Sequence, residues 1–433
     1  MKYWNEEFET MPPEEMGKFQ LERLKKTLQW VYEKVPFYKS KFDEQGAKPE
    51  DLRKLEDLSR FPFTDKNDLR DNYPFGLSAV PMTDWVRIHA SSGTTGKPIT
   101  GVYTSNDLDQ WTECMARTLW AAGVRSNDIC QNAYGMGLFT GGLGFQQGAT
   151  RIGCAVIPIS SGMTERQVLV MQDFESTVLF CTPTYALTIA ERAEEMGVCL
   201  RDLPLRVGVF GAEPWTVEMR KEIEERLGIK AQDAYGLTEF GGPGIAFDCV
   251  EQNGLHVNED HFVVEIIDPE TTAALPMGSK GEMVITAIQR EAMPLVRYRT
   301  RDITTLRRET CSCGRTLLKM NKVYGRTDDM MIISGVNVFP SQIESLLLEI
   351  KEIEPQYVVF VRKKGYLDQL HLHVEAKKET YEAGPHKIGE VEKRIVEKFR
   401  GIIGINVQTR LVPPKTITRA EGKAKRVIDE RKL

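Results

Sequence analysis

The chain has 433 residues, 41% hydrophobic and 27% charged, with 57 Lys and Arg against 62 Asp and Glu. This composition predicts a globular protein of two or three domains, and the net charge of −5 argues against a nucleic-acid partner. A charged N-terminal segment and the lack of a long apolar run predict neither a secretory signal nor a membrane span. Eight cysteines scattered over so long a chain favour reduced thiols in the cytoplasm.

The first part of the chain predicts a helix followed by two short strands. Apolar residues at helical spacing over 21–35 predict the helix, and the strands are expected at 86–90 and 102–105. Ser105 then precedes an amphipathic segment, which predicts a helix that ends near Gly123.

The middle of the chain alternates strands with helices. Strands are predicted at 154–159, 177–181 and 205–211, and helices at 164–174 and 217–228. Such alternation is typical of a mostly parallel α/β sheet. Two Thr/Ser-x-x-Gln/Glu patterns, Thr164 with Gln167 and Ser341 with Glu344, predict capping boxes at helix starts.

From residue 262 onward the predicted strands follow one another directly. Segments 261–268, 281–287 and 294–300 indicate an antiparallel β portion. Segment 325–335 resembles a junction, after which helices and strands alternate again. The predicted fold is therefore an α/β core domain over 1–325, with parallel-rich sheets and an antiparallel portion, followed by a small mobile α+β lid domain over 326–433.

The loop SSGTTGKP at 91–98 joins the first two strands. Its glycines, hydroxyls and single lysine are the groups that wrap a polyphosphate, although it lacks the GxxxxGK[ST] spacing of a P-loop. The alternative is a solvent-exposed hairpin loop.

Two further segments carry isolated carboxylates. In AYGLTEFGG, Glu239 lies beside Thr238, and oxygen ligands of this kind suit Mg²⁺; the alternative is an ordinary turn. Asp302 follows a strand that is crowded with arginines. It can accept hydrogen bonds from two ribose hydroxyls, or it can simply pair with those arginines.

Five motifs in order resemble the acyl-adenylate-forming superfamily, which includes acyl-CoA synthetases, luciferases and adenylation domains. They are 91–98, 235–239, Asp302, Arg326 with Asp328, and Lys423. The segments FGAEPW, NAYGMGLFTGGLG and SGVNVFPSQIE are similar to the phenylacetate–coenzyme A ligase family.

The resemblance implies that a carboxylic acid reacts with ATP and Mg²⁺ to give acyl-AMP, which the thiol of coenzyme A then attacks. It implies catalytic roles for Lys423, Thr238 and Glu239, with Mg²⁺ held by Glu239, and a hinge at Asp328. The implied ATP- and AMP-binding residues are Ser91, Ser92, Thr94, Thr95, Lys97, Gly211, Ala212, Glu213, Pro214, Asp233, Tyr235, Gly236, Asp302 and Arg326. For Lys423 the alternative is a solvated lysine of a basic tail, with Lys425 as its near neighbour.

The same resemblance implies an acyl pocket at Tyr134, Phe139, Gly141 and Gly142, where glycines let a flat ring approach the backbone. The alternative is a glycine-rich loop with exposed aromatics. No charged residue lies within 132–150, which disfavours a strongly anionic acyl tail. Phenylacetate is the expected acid, and indoleacetate, a substituted benzoate or a bulky deazaflavin cofactor remain open.

A possible zinc site comprises Cys249, His256, Cys311 and Cys313, a Cys₃His set that suits structural zinc. His261 competes with His256 as a ligand, and the alternative is free thiols in surface loops. The other cysteines lie in apolar stretches and are expected in the core: Cys114, Cys130, Cys154, Cys181 and Cys199.

The principal hypothesis is an ATP-dependent, AMP-forming ligase that joins an aromatic acid to coenzyme A. One alternative is an adenylating enzyme that serves a carrier-protein thiol. Another is a non-catalytic nucleotide-binding regulator, which would have no use for a lysine at the reacting bond. A homodimer is plausible from the resemblance, whereas no membrane partner is expected.

Overall fold

The computed structural model describes residues 2–91, 98–333, 336–364 and 367–432. The α-helices in these ranges are α1 (Glu6–Glu9), α2 (Pro13–Lys34), α3 (Pro36–Gln45), α4 (Lys66–Asp71), α5 (Ser105–Ala121), α6 (Thr140–Ile152), α7 (Thr164–Asp173), α8 (Pro183–Glu195), α9 (Val217–Leu227), α10 (Pro340–Leu348), α11 (Lys378–Glu382) and α12 (Pro385–Ile402). None of these described helices combines the length and apolarity needed to cross a bilayer.

The strands in the same ranges are β1 (Arg87–Ala90), β2 (Thr100–Tyr103), β3 (Ile129–Asn132), β4 (Ala155–Ile157), β5 (Val178–Cys181), β6 (Val207–Gly211), β7 (Lys230–Leu237), β8 (Gly242–Phe247), β9 (Leu255–Val257), β10 (Phe262–Ile267), β11 (Lys280–Ala287), β12 (Tyr298–Arg307), β13 (Lys319–Met320), β14 (Gly325–Arg326), β15 (Met331–Ile333), β16 (Val336–Val338), β17 (Ile353–Lys364), β18 (Leu367–Ala376), β19 (Val407–Val412) and β20 (Val427–Asp429).

One large mixed sheet organises the first three quarters of the chain, in the order β10-β11-β12-β13-β9-β8-β7-β6-β5-β3-β4, with β14 beside β12. Strands β3 to β7 pair in parallel, whereas β7 to β13 pair antiparallel to their neighbours. The α/β class is confirmed, and the predicted parallel and antiparallel portions are two halves of one continuous sheet.

Both faces of the parallel half are covered by helices. Val178 and Phe180 of β5 join the apolar cluster of α5 and α6, while Leu179 and Cys181 join the cluster of α7, α8 and α9. Successive side chains of a strand point to opposite faces, so this alternation shows that β5 is buried on both sides.

The C-terminal α+β region has its own sheet and core. Strands β19-β18-β17-β20 form a four-stranded sheet. Its buried apolar side chains, among them Val359, Leu372 and Val374, cluster with Ile343 of α10 and with Ile395 and Phe399 of α12. A core of its own allows this region to behave as a separate lid, although the boundary at residue 325 stays a prediction.

Both capping-box predictions were wrong. Helix α7 follows Met163, which has a φ of 48°, and the Gln167 side chain is buried and donates to Ser160 O at 2.7 Å. Helix α10 begins at Pro340, and the Gln342 side chain accepts the Phe339 N–H at 2.9 Å. The Gln167 side chain instead binds Ser160 O, and the Ser341 hydroxyl donates to Tyr324 O, so neither side chain is available for its predicted cap.

Other expectations also needed correction. The N-cap of α5 is Thr104, whose hydroxyl accepts the Asp107 N–H at 3.0 Å, rather than Ser105. Strand β12 begins at Tyr298 and extends to Arg307, so it starts and ends later than predicted. Cys199 is exposed, whereas the other cysteines expected in the core are buried.

Candidate active site

The cavity in which the sequence predicts nucleotide binding, called the nucleotide cavity below, lies at the carboxyl ends of the parallel strands β6 and β7, where open α/β sheets commonly bind ligands. It has a volume of about 110 Å³ and is lined by 211–215, 233–237, Asp302, Arg326 and Lys423. The structure therefore brings most of the described residues predicted to bind ATP or AMP to one cavity.

The backbones of β6, β7 and β8 approach one another closely at one wall of the cavity. A Cβ on Gly211 would overlap the Ala234 carbonyl oxygen, and a Cβ on Gly236 would overlap the Gly242 carbonyl oxygen. Ala212 follows with a φ of 71°, a conformation that turns the chain sharply after the strand. The glycines in these motifs are thus required by the close approach of neighbouring strands.

Asp302 stands at the centre of a buried polar cluster. Its Oδ1 accepts Arg326 Nη1 at 2.9 Å, and its Oδ2 accepts the Tyr235 hydroxyl at 2.5 Å. The backbone holds the ion pair in place, because Asp302 and Arg326 are directly opposite in the β12–β14 pairing. The sequence left open whether Asp302 pairs with the arginines of its own strand, and its partner is Arg326.

Burial is the main influence on this carboxyl. Loss of water raises the pKa of Asp302 to about 6, although Arg326 and the Tyr235 hydroxyl oppose the shift. At neutral pH the group is therefore an ionised acceptor, as ribose hydroxyls would require. Burial also raises the pKa of Tyr235 well above its usual value, so the phenol stays a hydrogen-bond donor.

Glu239 lies on a single helical turn, Thr238–Phe240, directly after β7. Its Oε1 accepts the Tyr298 hydroxyl at 3.1 Å, while its backbone oxygen accepts Arg290 Nη1 at 2.7 Å. Tyr298 thus orients the carboxylate and Arg290 holds the backbone of the turn, and within the described residues the second carboxylate oxygen makes no hydrogen bond. Neither residue was found by sequence reasoning, since neither belongs to a recognisable motif.

The loop that carries Lys423 contacts the core on both sides of that lysine. Glu213 Oε2 accepts the Ala424 N–H at 3.3 Å, and the Thr182 hydroxyl donates to Gly422 O at 3.3 Å. The carboxylate of Glu213 also accepts the Thr184 N–H at 2.7 Å. Glu213 therefore connects the nucleotide cavity to the lid.

Ion pairs fasten the lid to the core around this loop. Arg419 binds Glu191 of α8 and Glu375 of β18, with nitrogen–oxygen distances of 2.6 Å to each carboxylate. Lys415 pairs with Glu195, one helical turn further along α8. At the other side of the lid, Ser345 donates to Glu218 at 3.0 Å.

Asp328 lies just beyond β14, at the connection to the lid. Both of its carboxylate oxygens bind Arg326, at 2.9 and 3.1 Å. Its side chain is 44% exposed, so this pair can separate at small cost. Its role as a hinge stays a prediction.

Only the base of the 91–98 loop falls within the described residues. Ser91 accepts the Ile99 N–H on its hydroxyl at 2.9 Å, and the Ser91 N–H donates to Ile99 O at 2.8 Å. These two hydrogen bonds hold the beginning and the end of the loop together. The predicted phosphate-binding residues Ser92, Thr94, Thr95 and Lys97 lie outside the described part of the chain.

The predicted acyl-pocket residues surround the start of α6. Tyr134 is buried and stacks on Phe145 at 4.7 Å between ring centroids, and its hydroxyl would lie 3.8 Å from a Cβ on Gly211. Phe139 precedes the helix and is 39% exposed. A Cβ on Gly142 would come within 2.7 Å of Gly135 O. The aromatic region thus adjoins the nucleotide cavity. Tyr134 and Phe139 precede the helix, whereas Gly141 and Gly142 lie in its first turn.

Cys249, His256, Cys311 and Cys313 converge, and their ligand atoms all lie within 4.8 Å of one another. The Cys249 and Cys311 sulfurs are 3.9 Å apart, and Cys313 Sγ lies 3.6 Å from His256 Nε2. A tetrahedral ion with a Zn–S distance of about 2.3 Å would place two sulfurs about 3.8 Å apart. All four side chains are buried, and His261 instead contacts Asp260 at 3.3 Å.

Comparison with protein families identifies the chain. The AMP-binding enzyme profile matches residues 16–289, and the AMP-binding enzyme C-terminal domain profile matches residues 335–431. The chain belongs to the AMP-binding enzyme family. Within this family it is 48% identical to a phenylacetate-coenzyme A ligase of Thermus thermophilus, over 98% of this chain and 99% of the relative. It is 47% identical to the phenylacetate-coenzyme A ligase of Escherichia coli, over 98% and 97% of the two chains.

A solved AMP-binding enzyme indicates which lid orientation is present. The chain superposes on 2-hydroxyisobutyryl-CoA ligase in the postadenylation state with a TM-score of 0.95, at 28% identity over 100% of this chain and 93% of the other. Against the same enzyme in the thioesterification state, the TM-score is 0.74 at 29% identity and the same coverage. The present arrangement of lid and core is therefore more similar to that of the neighbour in its postadenylation state than to that in its thioesterification state.

Acidification should weaken nucleotide binding through Asp302. Because burial raises the pKa of this carboxyl to about 6, protonation replaces the acceptor with a neutral acid as the pH falls through 6. We expect the Kd for ATP to rise below pH 6 in the wild type, when measured by titration calorimetry.

Asp302→Asn is the control, since it leaves the titration of the ATP phosphates unchanged. The variant should bind more weakly at pH 7.5 and lose the part of the pH dependence due to the carboxyl. An identical pH slope in the two proteins would show that Asp302 does not titrate against the nucleotide.

Proposed function

We propose that this enzyme ligates phenylacetate to coenzyme A through a phenylacetyl-adenylate, with ATP and Mg²⁺. The observation that carries the proposal is the meeting of Lys423 with the Asp302–Arg326 pair at one cavity beside the aromatic residues around α6. The identity of 46–49% to four phenylacetate-coenzyme A ligases supports the choice of acid.

The first half-reaction must bring two anions together. A carboxylate oxygen of the acid attacks the α-phosphorus of ATP, and the bond to the β-phosphate breaks to release pyrophosphate. Lys423 neutralises the approaching carboxylate and α-phosphate, because a compact ammonium can reach both. Asp302 and Arg326 hold the ribose, so that the reacting atoms are aligned.

Thr238 and Glu239 follow β7 beside this reaction centre. We assign Glu239 as the Mg²⁺ ligand and place Thr238 at the phosphates. The cation would supply further neutralisation of the phosphate oxygens, and the hydrogen bond from Tyr298 would orient the Glu239 carboxylate towards it.

In the second half-reaction the thiolate of coenzyme A attacks the acyl carbon, and AMP leaves with the electron pair of the broken anhydride bond. Lys423 is no longer needed at this stage. We propose that the lid residues after Asp328 rotate about this position and carry Lys423 away from the cavity, while Arg326 stays paired with Asp302. The lower TM-score against the thioesterification state of 2-hydroxyisobutyryl-CoA ligase supports such a rotation.

The acyl slot favours a flat, uncharged ring. Tyr134 lies beside the end of β6, and Phe139 is the partly exposed residue directly before α6. A Cβ on Gly141 would overlap the Phe139 ring, and one on Gly142 would overlap the Gly135 carbonyl oxygen, so these glycines let the start of α6 pack closely against the segment that precedes it. Phenylacetate matches this environment better than a charged or strongly polar acid.

The function is tested by ATP–pyrophosphate exchange across a panel of acids. We expect exchange with phenylacetate to exceed exchange with indoleacetate, benzoate and a deazaflavin acid, because the chain is 46–49% identical to four phenylacetate-coenzyme A ligases. Thioester formation should then need free coenzyme A instead of a pantetheinylated carrier protein. ATP binding without exchange on any acid would favour the non-catalytic reading.

Lys423→Ala should slow adenylation by roughly a hundred- to a thousand-fold, because the reacting anions lose their shared cation. Thioester formation from supplied phenylacetyl-adenylate should be largely spared. Both half-reactions are measured separately by rapid quench, with Lys425→Ala as the matched control. Equal loss in the two half-reactions would remove Lys423 from its assigned role.

We also propose that the Cys249, His256, Cys311 and Cys313 cluster holds a structural zinc ion. The four atoms are spaced for a tetrahedral ion, and all four side chains are buried in an apolar cluster that contains Met16, Phe247 and Leu317. A closed site of this kind leaves no open position for chemistry, so the ion would brace β8 and β9 against the loop at 311–315.

Purified protein should contain about one zinc per chain. Cys311→Ser combined with Cys313→Ser should abolish the zinc content and lower Tm, whereas Cys199→Ser, at an exposed cysteine, should change neither. Zinc is measured by elemental analysis and Tm by calorimetry. A wild type that takes up no zinc when it is supplied, with a Tm unaffected by chelator, would contradict the assignment.

A further inference from the structure

Arg290, in the connection after β11, joins two segments that are distant in the sequence. Its Nη1 donates to Glu239 O at 2.7 Å, and its Nη2 donates to Val102 O of β2 at 3.2 Å. The guanidinium carbon also lies 4.5 Å from the centroid of the Tyr103 ring. One side chain therefore holds the turn that carries Glu239 at a fixed distance from β2.

Strand β2 forms a hairpin with β1, and the predicted phosphate loop connects these two strands. The strand begins at Thr100, directly after Ile99, which is hydrogen-bonded to Ser91 at the other end of the loop. Ser91 is one of the residues predicted to bind the phosphates of ATP, and Glu239 is the assigned Mg²⁺ ligand. Arg290 thus connects the two segments that must meet at the same phosphate groups.

The bonding of Arg290 is directed to backbone oxygens. Within the described part of the chain it forms no ion pair, and its buried Nε makes no hydrogen bond, whereas Arg297 and Arg299 each bind a glutamate. A guanidinium presents several donors in fixed directions, so it can hold two carbonyl groups in one geometry, which a lysine ammonium on a flexible stem cannot do. The geometry is that of a residue that positions two backbone segments.

We propose that Arg290 is a positioning residue for adenylation, which sets the separation between the Mg²⁺ ligand Glu239 and the hairpin that carries Ser91. The inference rests on the proposed function, because the roles of Glu239 and Ser91 belong to it. Arg290 acts through these segments and need not touch the nucleotide. A displacement of about 1 Å can lower a rate by about a hundred-fold, so loss of this connection should be measurable.

Binding of ATP with and without Mg²⁺ tests the assignment apart from turnover. Titration calorimetry would compare the wild type with Arg290→Met and Arg290→Lys, in the presence of Mg²⁺ or of a chelator. Both variants should bind Mg²⁺–ATP roughly ten-fold more weakly, with little change for metal-free ATP, because the metal ligand and the hairpin no longer act together. Arg290→Lys should lose nearly as much as Arg290→Met, since it keeps the charge but not the fixed geometry.

A difference among the Michaelis constants separates positioning from general damage to the fold. In ATP–pyrophosphate exchange, both variants should raise the KM for pyrophosphate roughly ten-fold and lower the maximal rate roughly ten- to a hundred-fold. The KM for phenylacetate should stay the same. Thioester formation from supplied phenylacetyl-adenylate should be spared, because pyrophosphate has already left at that stage.

Arg125→Lys is the matched control. Arg125 also donates to two carbonyl oxygens, those of Trp120 at 2.8 Å and Val124 at 2.7 Å, and its guanidinium carbon lies 4.1 Å from the centroid of the Trp120 ring. It does not line the nucleotide cavity. This substitution should therefore change none of the affinities, Michaelis constants or rates.

Unchanged affinity for Mg²⁺–ATP in the Arg290 variants would overturn the proposal, as would equal losses for Mg²⁺–ATP and metal-free ATP. If Arg290→Met does not fold, Arg290→Lys decides the question, because it keeps the charge and the aliphatic stem. The two proposals can also fail separately. Absence of exchange with every acid in the wild type would overturn the proposed ligase, whereas calorimetry would still report whether Arg290 joins the metal ligand to the hairpin.

Discussion

The buried ion pair between Asp302 and Arg326 joins the three parts on which the proposed chemistry depends. It links β12 of the large sheet to β14, it forms one wall of the nucleotide cavity, and through Arg326 it reaches Asp328 at the start of the lid. Removing one partner of such a pair costs about 3–5 kcal/mol, because the other charge stays buried. The pair is therefore a fixed reference for both the ribose site and the lid connection.

The rest of the cavity depends on places where two backbone segments lie so close together that no side chain fits between them. Gly211 lies close to Ala234 and Gly236 lies close to Gly242 at one wall of the nucleotide cavity. The glycines of α6 allow similarly close packing beside the predicted acyl pocket. A Cβ on Gly148 would lie 2.7 Å from Met115 Cβ, so α5 and α6 can pack closely only with glycine there. This packing explains why a glycine-rich segment is helical, since tertiary contact outweighs low helix propensity.

The sequence predicted the α/β class, most strands of the parallel half and the residues that gather at the cavity, because hydrophobic periodicity and the motifs are local patterns. It failed where a polar side chain had a tertiary partner. The Gln167 side chain donates to Ser160 O, and the Ser341 hydroxyl donates to Tyr324 O, so neither capping box forms. Tyr298 and Arg290 could not be found either, because their contacts with Glu239 depend on how distant segments meet in the fold. The four residues of the Cys₃His cluster were recognisable from the sequence, because cysteine and histidine together are typical ligands of a structural metal ion.

The ion pairs between lid and core are compatible with a lid that binds the core and can also separate from it. Arg419 binds Glu375, which is fully buried within the lid, and also Glu191, which is partly exposed on the core. When the lid leaves, only the bond to Glu191 is broken, so Arg419 keeps a partner and no buried charge is stranded. Lys415 and Glu195 are likewise solvent-accessible, and such pairs contribute about 0–1 kcal/mol each. In the proposed reaction, several weak contacts would suffice to hold Lys423 at the cavity during adenylation and could still separate before the thiol attacks.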